Sequence, residues 1–324
     1  MAVFTKVSSN DLSVVLENFG LGRLVDLKEI SAGIENTNYF LDTQCMGEET
    51  KHWVLTLFEN IDESELPFFS QFTQHLAHAG LAVPAPLKSE QGDSLFRIKG
   101  KSAAIVPRLL GADLSDVDEI ACAQVGKWLA YMHHAQTDFG SHRPLVRDLD
   151  WMERNYQSLS KSKIGSDLKL LRGYIDRYKD YRTTLEACPH GTVHGDLFKD
   201  NVLFHEGKVS GVIDFYHACH AALLFDLAVT ANDWCCLDNG AHDVGRLNAL
   251  VNAYKGERDW TEIEARAWPY CLEVAALRFW ISRLVSKYVG GYQDKSVAGD
   301  TIKDPDKMKM TLLHLSDAYA PIQI

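Results

Sequence analysis

The stretch TVHGDLFKDNVLFHEGKVSGVIDFYHA, residues 192–218, places His194, Asp196, Asn201 and Asp214 within one short span. NVLF (201–204) and VSGVID (209–214) are strand-like runs, and HEGK between them carries Gly207, which permits a tight turn. Folding the chain about Gly207 brings Asn201 opposite residue 213, beside Asp214. An amide oxygen and a carboxylate from two strands then meet at one end of a ribbon. Mg²⁺ is a hard cation that accepts such oxygens and completes its shell with water and phosphate. Asp196, in the loop entering the first strand, faces the same opening without having to bind metal. Either acid alone would read as a solvated side chain of a polar hairpin. Four polar residues in this order and spacing argue against that.

The spacing matches a known division of labour. In the kinase catalytic loop H-R-D-x-x-x-x-N, the Asp takes the proton of the attacking hydroxyl and the Asn holds Mg²⁺, while a later Asp holds metal bridging the phosphates. Here His194-Gly195-Asp196 and Asn201 reproduce the spacing, with Gly in place of Arg, and Asp214-Phe215-Tyr216 stands where D-F-G would be. Phosphoryl transfer needs little covalent work from a protein; positioning and charge neutralisation lower the barrier.

The remainder of the chain is compatible with such a site. Its 324 residues are enough for two domains sharing an interface, and 46% hydrophobic against 24% charged content fits a globular protein. A net charge of −11 argues against a nucleic-acid surface and against adhesion to anionic membranes. The seven cysteines include no C-x-x-C pair, which suits free thiols in a reducing compartment. The first twenty residues lack the pattern of a signal peptide, and no run is long and apolar enough to span a bilayer. A cytoplasmic location is expected. His217 and His220 in HACH offer two metal ligands at most, short of a zinc shell.

Residues 9–19 read as a short helix stopped by Gly20. LVDLKEI (24–30), NYFLDTQ (38–44) and HWVLTLFE (52–59) alternate as strands, predicting a three-stranded antiparallel meander. ESELPFFSQFTQHLAHAG (63–80) reads as a helix with Phe69, Phe72 and Leu76 on one face. LAVPAPLKS, SLFRIKG and SAAIVPRLL supply two or three further strands. After LLGADL (109–114) the character changes. Residues 115–136 form a helix with Ser115 and Asp118 spaced as a capping box, 151–187 are polar and helical, and 223–320 are helical again. The expected architecture is α+β and two-lobed. Residues 1–108 form a nucleotide-binding lobe with an antiparallel sheet plus helix. Residues 109–324 form a mainly helical catalytic and substrate lobe carrying the β-hairpin.

HGDLFKDNVLF…GVIDF resembles the signature of the aminoglycoside phosphotransferase and choline kinase superfamily, a protein-kinase-like group acting on small molecules. SAGIENTNYFL, WVLTLFE, LFDLAVTANDWC and ALRFWISRL are similar to segments of the bacterial homoserine kinases of this fold, and the likeness runs over nearly the whole chain. The resemblance implies ATP- and Mg²⁺-dependent phosphorylation of the L-homoserine hydroxyl for threonine biosynthesis, by a monomer or homodimer. It implies Asp196 as the base and Asn201 and Asp214 as Mg²⁺ ligands. It also makes SAGIENTNY a phosphate-covering loop, in which Gly33 allows close approach and Asn36 and Asn38 donate to phosphate oxygens. One departure stands out. VLTL puts Thr56 where kinases carry a strand-three lysine that pairs the α/β-phosphates, leaving Glu65 without its usual partner.

A zwitterionic acceptor wants an arginine for its carboxylate and an acid for its ammonium. Arg278 and Arg283 lie five residues apart on one predicted helix, roughly 140° apart around its axis, and Asp233 lies soon after the hairpin. Asp226 is expected to hold the catalytic loop by hydrogen bonds, with His194 in a supporting role. Trp234 and Trp280 are expected to pack in the core. Two alternatives remain. One is another alcohol kinase of the superfamily, for choline, ethanolamine, methylthioribose or an aminoglycoside. The other is a pseudokinase-like binding module, which Thr56 invites and the intact Asp196, Asn201 and Asp214 oppose.

Overall fold

A computed structural model describes residues 4–31, 36–162, 164–289 and 303–318. The chain divides into two compact units, Met1–Gly111 with Ser210–Ile213, and Ala112–Val209 with Asp214–Ile324.

The first unit is built on α1 (Ser9–Asn18), β1 (Arg23–Ile30), β2 (Thr37–Gln44), β3 (Lys51–Leu57), α2 (Leu66–His78), β4 (Phe96–Ile98) and β5 (Lys101–Pro107). The strands form one antiparallel sheet in the order β1-β2-β3-β5-β4. Strict alternation of burial along β2 turns Tyr39 and Leu41 inward, where they meet Leu55, Leu57 and Ile105. Leu12, Val15 and Leu16 of α1 cover this face, and a capping box of Ser8 and Asp11 starts that helix. LAVPAPLKS makes no strand. Its two prolines lack the N–H that a ladder needs, and β4 and β5 alone complete the sheet.

The second unit comprises α3 (Glu119–Ala135), α4 (Leu149–Leu159), α5 (Asp167–Glu186), β6 (His190–Val193), β7 (Val202–His205), β8 (Lys208–Val212), β9 (Cys219–Ala222), α6 (Leu223–Trp234), α7 (Val244–Glu257), α8 (Glu262–Tyr288) and α9 (Pro305–Ala318), β8 running on into the first unit. Asp118 alone caps α3 by accepting from the Ala121 N–H; Ser115 lies one turn too early to take part, which corrects the expected box. Every residue of α6 is buried, so this helix is the unit's central post, with α8 packed along it. β6 pairs with β9, and β7 pairs with β8. The β7–β8 connection is the two-residue turn Glu206-Gly207, with φ of 49° and 74°, the left-handed pair that favours a hairpin. Among the described residues no helix is long and apolar enough to cross a membrane.

Candidate active site

The loop between β6 and β7 carries His194, Gly195 and Asp196, and a 3-10 turn at Lys199–Asn201 delivers Asn201 to the start of β7. Two helices fasten this loop. From α6, the Asp226 carboxylate accepts the His194 N–H at 2.7 Å and the Gly195 N–H at 2.8 Å. One helical stretch later, Asp233 accepts the Lys199 N–H at 2.9 Å and the Trp234 indole donates to the Leu197 carbonyl at 3.1 Å. From α8, the Arg278 guanidinium donates to the Gly195 carbonyl at 2.9 Å. The loop's backbone polar groups are thus held by side chains where no regular ladder could hold them.

Within the loop, Asn201 Nδ2 donates to the Asp196 carbonyl at 2.8 Å and lies 3.4 Å from its carboxylate. That bond commits the nitrogen side of the amide and turns Oδ1 away from it. Asp214 follows β8 in a left-handed conformation, φ 65° and ψ 61°, which costs a non-glycine residue about 1 kcal/mol. The donor set of one amide oxygen and one carboxylate fits Mg²⁺ carrying phosphate oxygens. Among the described residues no group of three His, Cys, Asp or Glu side chains is placed to cage a metal on its own. Burial pushes the Asp196 carboxyl up to about 8; Arg278 works against that rise and the negative Asp214 adds to it.

Behind the loop lies a buried polar relay. His133 of α3 contacts the Asp226 carboxylate through Nε2 at 3.2 Å and the Tyr254 hydroxyl through Nδ1 at 2.7 Å. Arg258 donates to the Tyr254 oxygen at 3.2 Å and to Glu264 at 2.8 Å. Glu264 in turn accepts from Thr261 at the start of α8. Burial holds His133 below its ordinary pKa despite the adjacent Asp226, so the imidazole is neutral. A neutral ring donates through Nε2 and accepts the tyrosine proton at Nδ1. Burial opposes the charge on Asp226, yet the His133 contact and the loop N–H groups bring its carboxyl below the usual range.

The structure thus gathers Asp196, Asn201, Asp214, His194 and Asp226 in one unit. Asp233 fastens the loop at Lys199. Arg278 turns to Gly195, whereas Arg283 donates to the Asp304 carbonyl at 3.0 Å ahead of α9. In the first unit, Asn36 is buried and accepts the Glu59 N–H at 3.4 Å. Asn38 sits on β2 rather than in a loop, and its Oδ1 accepts from Thr56 at 2.8 Å. Gly33 lies outside the described residues. His133, Tyr254 and Arg258 carried no local sequence signal; residues 121 apart meet only through the packing of α3 on α7.

Residues 26–265 match the phosphotransferase enzyme family. A homoserine kinase of Methylobacillus flagellatus is 38% identical over 314 residues, covering 97% of this chain and 95% of the relative. One of Cupriavidus pinatubonensis is 40% identical over 327 residues, covering 99% of each. Among solved structures, an amicoumacin kinase in complex with AMP-PNP and Ca²⁺ has a TM-score of 0.67 at 14% identity, covering 95% of this chain and 93% of that one. A spectinomycin phosphotransferase in complex with ADP has a TM-score of 0.62 at 13% identity, covering 99% and 100%. The expected kinase-like α+β fold is therefore present, and the chain belongs to the phosphotransferase enzyme family, in the branch that contains the homoserine kinases.

Proposed function

We propose that the chain transfers the γ-phosphoryl group of ATP to the side-chain hydroxyl of L-homoserine, giving O-phospho-L-homoserine for threonine biosynthesis. The observation that carries the chemistry is the locked loop: Asp196 and Asn201 joined by a 2.8 Å hydrogen bond, in a backbone fastened by Asp226 and Arg278. The acceptor follows from curated relatives named homoserine kinase at about 40% identity over most of the chain.

In this reading Asp196 accepts the hydroxyl proton as the new O–P bond forms and the bond to the ADP oxygen breaks. Asn201 and Asp214 would hold Mg²⁺. When bound, the cation neutralises phosphate oxygens and, by the same charge, favours the ionised form of Asp196. Asp226 and Arg278 keep the loop from relaxing, so the base is aimed before the substrate arrives. All seven cysteines are free thiols, which supports a reducing, cytoplasmic setting. The decisive experiment is ADP release with L-homoserine, choline, ethanolamine, methylthioribose and an aminoglycoside as acceptors. L-Homoserine is expected to give the highest kcat/KM; turnover no faster than with the others would overturn the assignment.

A further inference from the structure

We propose that Arg147 and Arg278 form the carboxylate-binding corner of the acceptor site, so that the enzyme selects alcohols carrying a carboxylate near the phosphorylated hydroxyl. The inference rests on the function proposed above and deepens it.

Arg278 is 3% exposed, yet among the described residues it forms no ion pair. One of its nitrogens serves the Gly195 carbonyl and its guanidinium lies 4.1 Å over the Phe279 ring, but its buried Nε has no hydrogen-bond partner among the described residues. Isolated buried charge is costly, and a structure retains it where an anion arrives to neutralise it. The nearby acids are already committed. Asp226 accepts from two loop N–H groups and contacts His133, and Asp196 is the base.

Arg147 supplies a second guanidinium. Its guanidinium faces the Trp151 ring at 6.0 Å, and among the described residues it too makes no ion pair. It lines a cavity of about 270 Å³ together with Tyr178, Arg182, His220 and Val274, a cavity that also carries the acids Asp148, Asp150 and Glu186. Val274 lies one turn before Arg278 on α8. The segment bearing Arg147 is fixed there by the Arg143 carbonyl, which accepts the His220 N–H at 2.7 Å, and by the Arg143 guanidinium, which donates to the Ala218 carbonyl at 3.1 Å. The two arginines sense each other: burial first, and Arg147 second, hold Arg278 down to about 10. His217 is held well below its ordinary value by burial and by Arg147, Arg278, His194 and Arg143. This gathering of positive groups stands beside a loop whose reactive members are carboxylates.

A carboxylate placed between two guanidinium forks gains charge-assisted, paired hydrogen bonds. The hydroxyl oxygen and the carboxylate of homoserine are separated by three carbons, roughly 5 Å. That span suits a ligand whose hydroxyl is at Asp196 and whose carboxylate is at Arg278, since Arg278 grips the residue next to Asp196.

The test compares L-homoserine with 3-aminopropan-1-ol, which is homoserine without its carboxylate. Steady-state kinetics are measured for the wild type, Arg147→Met and Arg147→Lys. Arg147→Met is expected to raise the KM for L-homoserine about 100-fold while the KM for ATP stays within about 3-fold. The ratio of kcat/KM between the two alcohols should fall by a similar factor. Arg147→Lys should recover part of the loss, because an ammonium keeps the charge but not the fork. An equal loss on both alcohols, or a rise confined to the KM for ATP, would place Arg147 on the phosphate side or in the framework and overturn the inference. If 3-aminopropan-1-ol reacts too slowly to measure, the pair of KM values decides alone. A wild-type enzyme that ignores L-homoserine would instead sink the proposed function, a result distinct from failure of the carboxylate corner.

Discussion

Gly195 explains a difference between this loop and that of the protein kinases. Its φ is +76°, and a Cβ there would stand 2.8 Å from the His217 carbonyl oxygen. No L side chain meets both demands, so Gly195→Ala is expected to cost about 2 kcal/mol and to displace Asp196 with it. Urea denaturation and kcat measured together would check this; an alanine variant with wild-type values in both would refute it. Asp196 carries a second prediction. Its carboxyl rises from 3.8 to about 8. The stability linked to this group is fully present below the unfolded pKa and is lost as pH rises through the folded one. Asp196→Asn does not titrate, so it should melt above the wild type at pH 8.5 and level with it near pH 4. Because the side chain keeps some contact with solvent, the gain should be about 2 kcal/mol rather than the full value of the shift. The same variant should lose kcat by roughly 10³-fold with little change in ATP affinity. Thermal melts across pH, with and without Mg²⁺, separate the two effects; a constant gap at every pH would remove the raised carboxyl from the account.

At the scale of elements, α6 organises the site. It presents Asp226 to His194 and Gly195 and Asp233 to Lys199, and the same Asp226 carboxylate meets the relay through His133. Asp226→Asn keeps the shape but leaves one loop N–H facing an NH₂ group. We expect a stability loss of about 3 kcal/mol and a fall in kcat of roughly 100-fold, with KM for ATP little changed. Denaturant titration and initial rates would test it, and an unchanged kcat would show that the loop holds itself. Much of this level was legible in the sequence. The β1–β3 meander and the hairpin announce themselves because period-two alternation and a turn glycine are local signals. The proposed set of Asp196, Asn201 and Asp214 was legible because its spacing follows that of the kinase catalytic loop. The proline-bearing LAVPAPLKS misled because its apolar content suits a strand while its missing N–H groups do not. The relay and Arg147 were illegible because their meaning lies in partners far along the chain. No periodicity of α3 tells that His133 will face Tyr254 rather than merely fill the core.

At the scale of the whole molecule, the net charge of −11 sets a problem for binding an anionic nucleotide. The strand position where kinases keep a lysine holds Thr56, whose hydroxyl is spent on Asn38 at 2.8 Å. Lys101, the nearby cation on β5, is engaged by Glu59 at 3.0 Å. If Asn201 and Asp214 hold a divalent cation as proposed, nucleotide binding is expected to be strongly metal-dependent. ATP with Mg²⁺ at about 100 times its Kd should stabilise the fold by roughly 2.7 kcal/mol. Chelation with EDTA should remove nearly all of that gain, and so should Asp214→Asn. Asparagine tolerates the left-handed φ of 65°, so the unliganded Asp214→Asn variant should keep the wild-type backbone at this position. Thermal shift with ATP alone, Mg²⁺ alone and both together measures each part. An ATP shift of equal size without metal would mean that protein cations hold the phosphates, and that Thr56 marks a relocated lysine rather than a lost one.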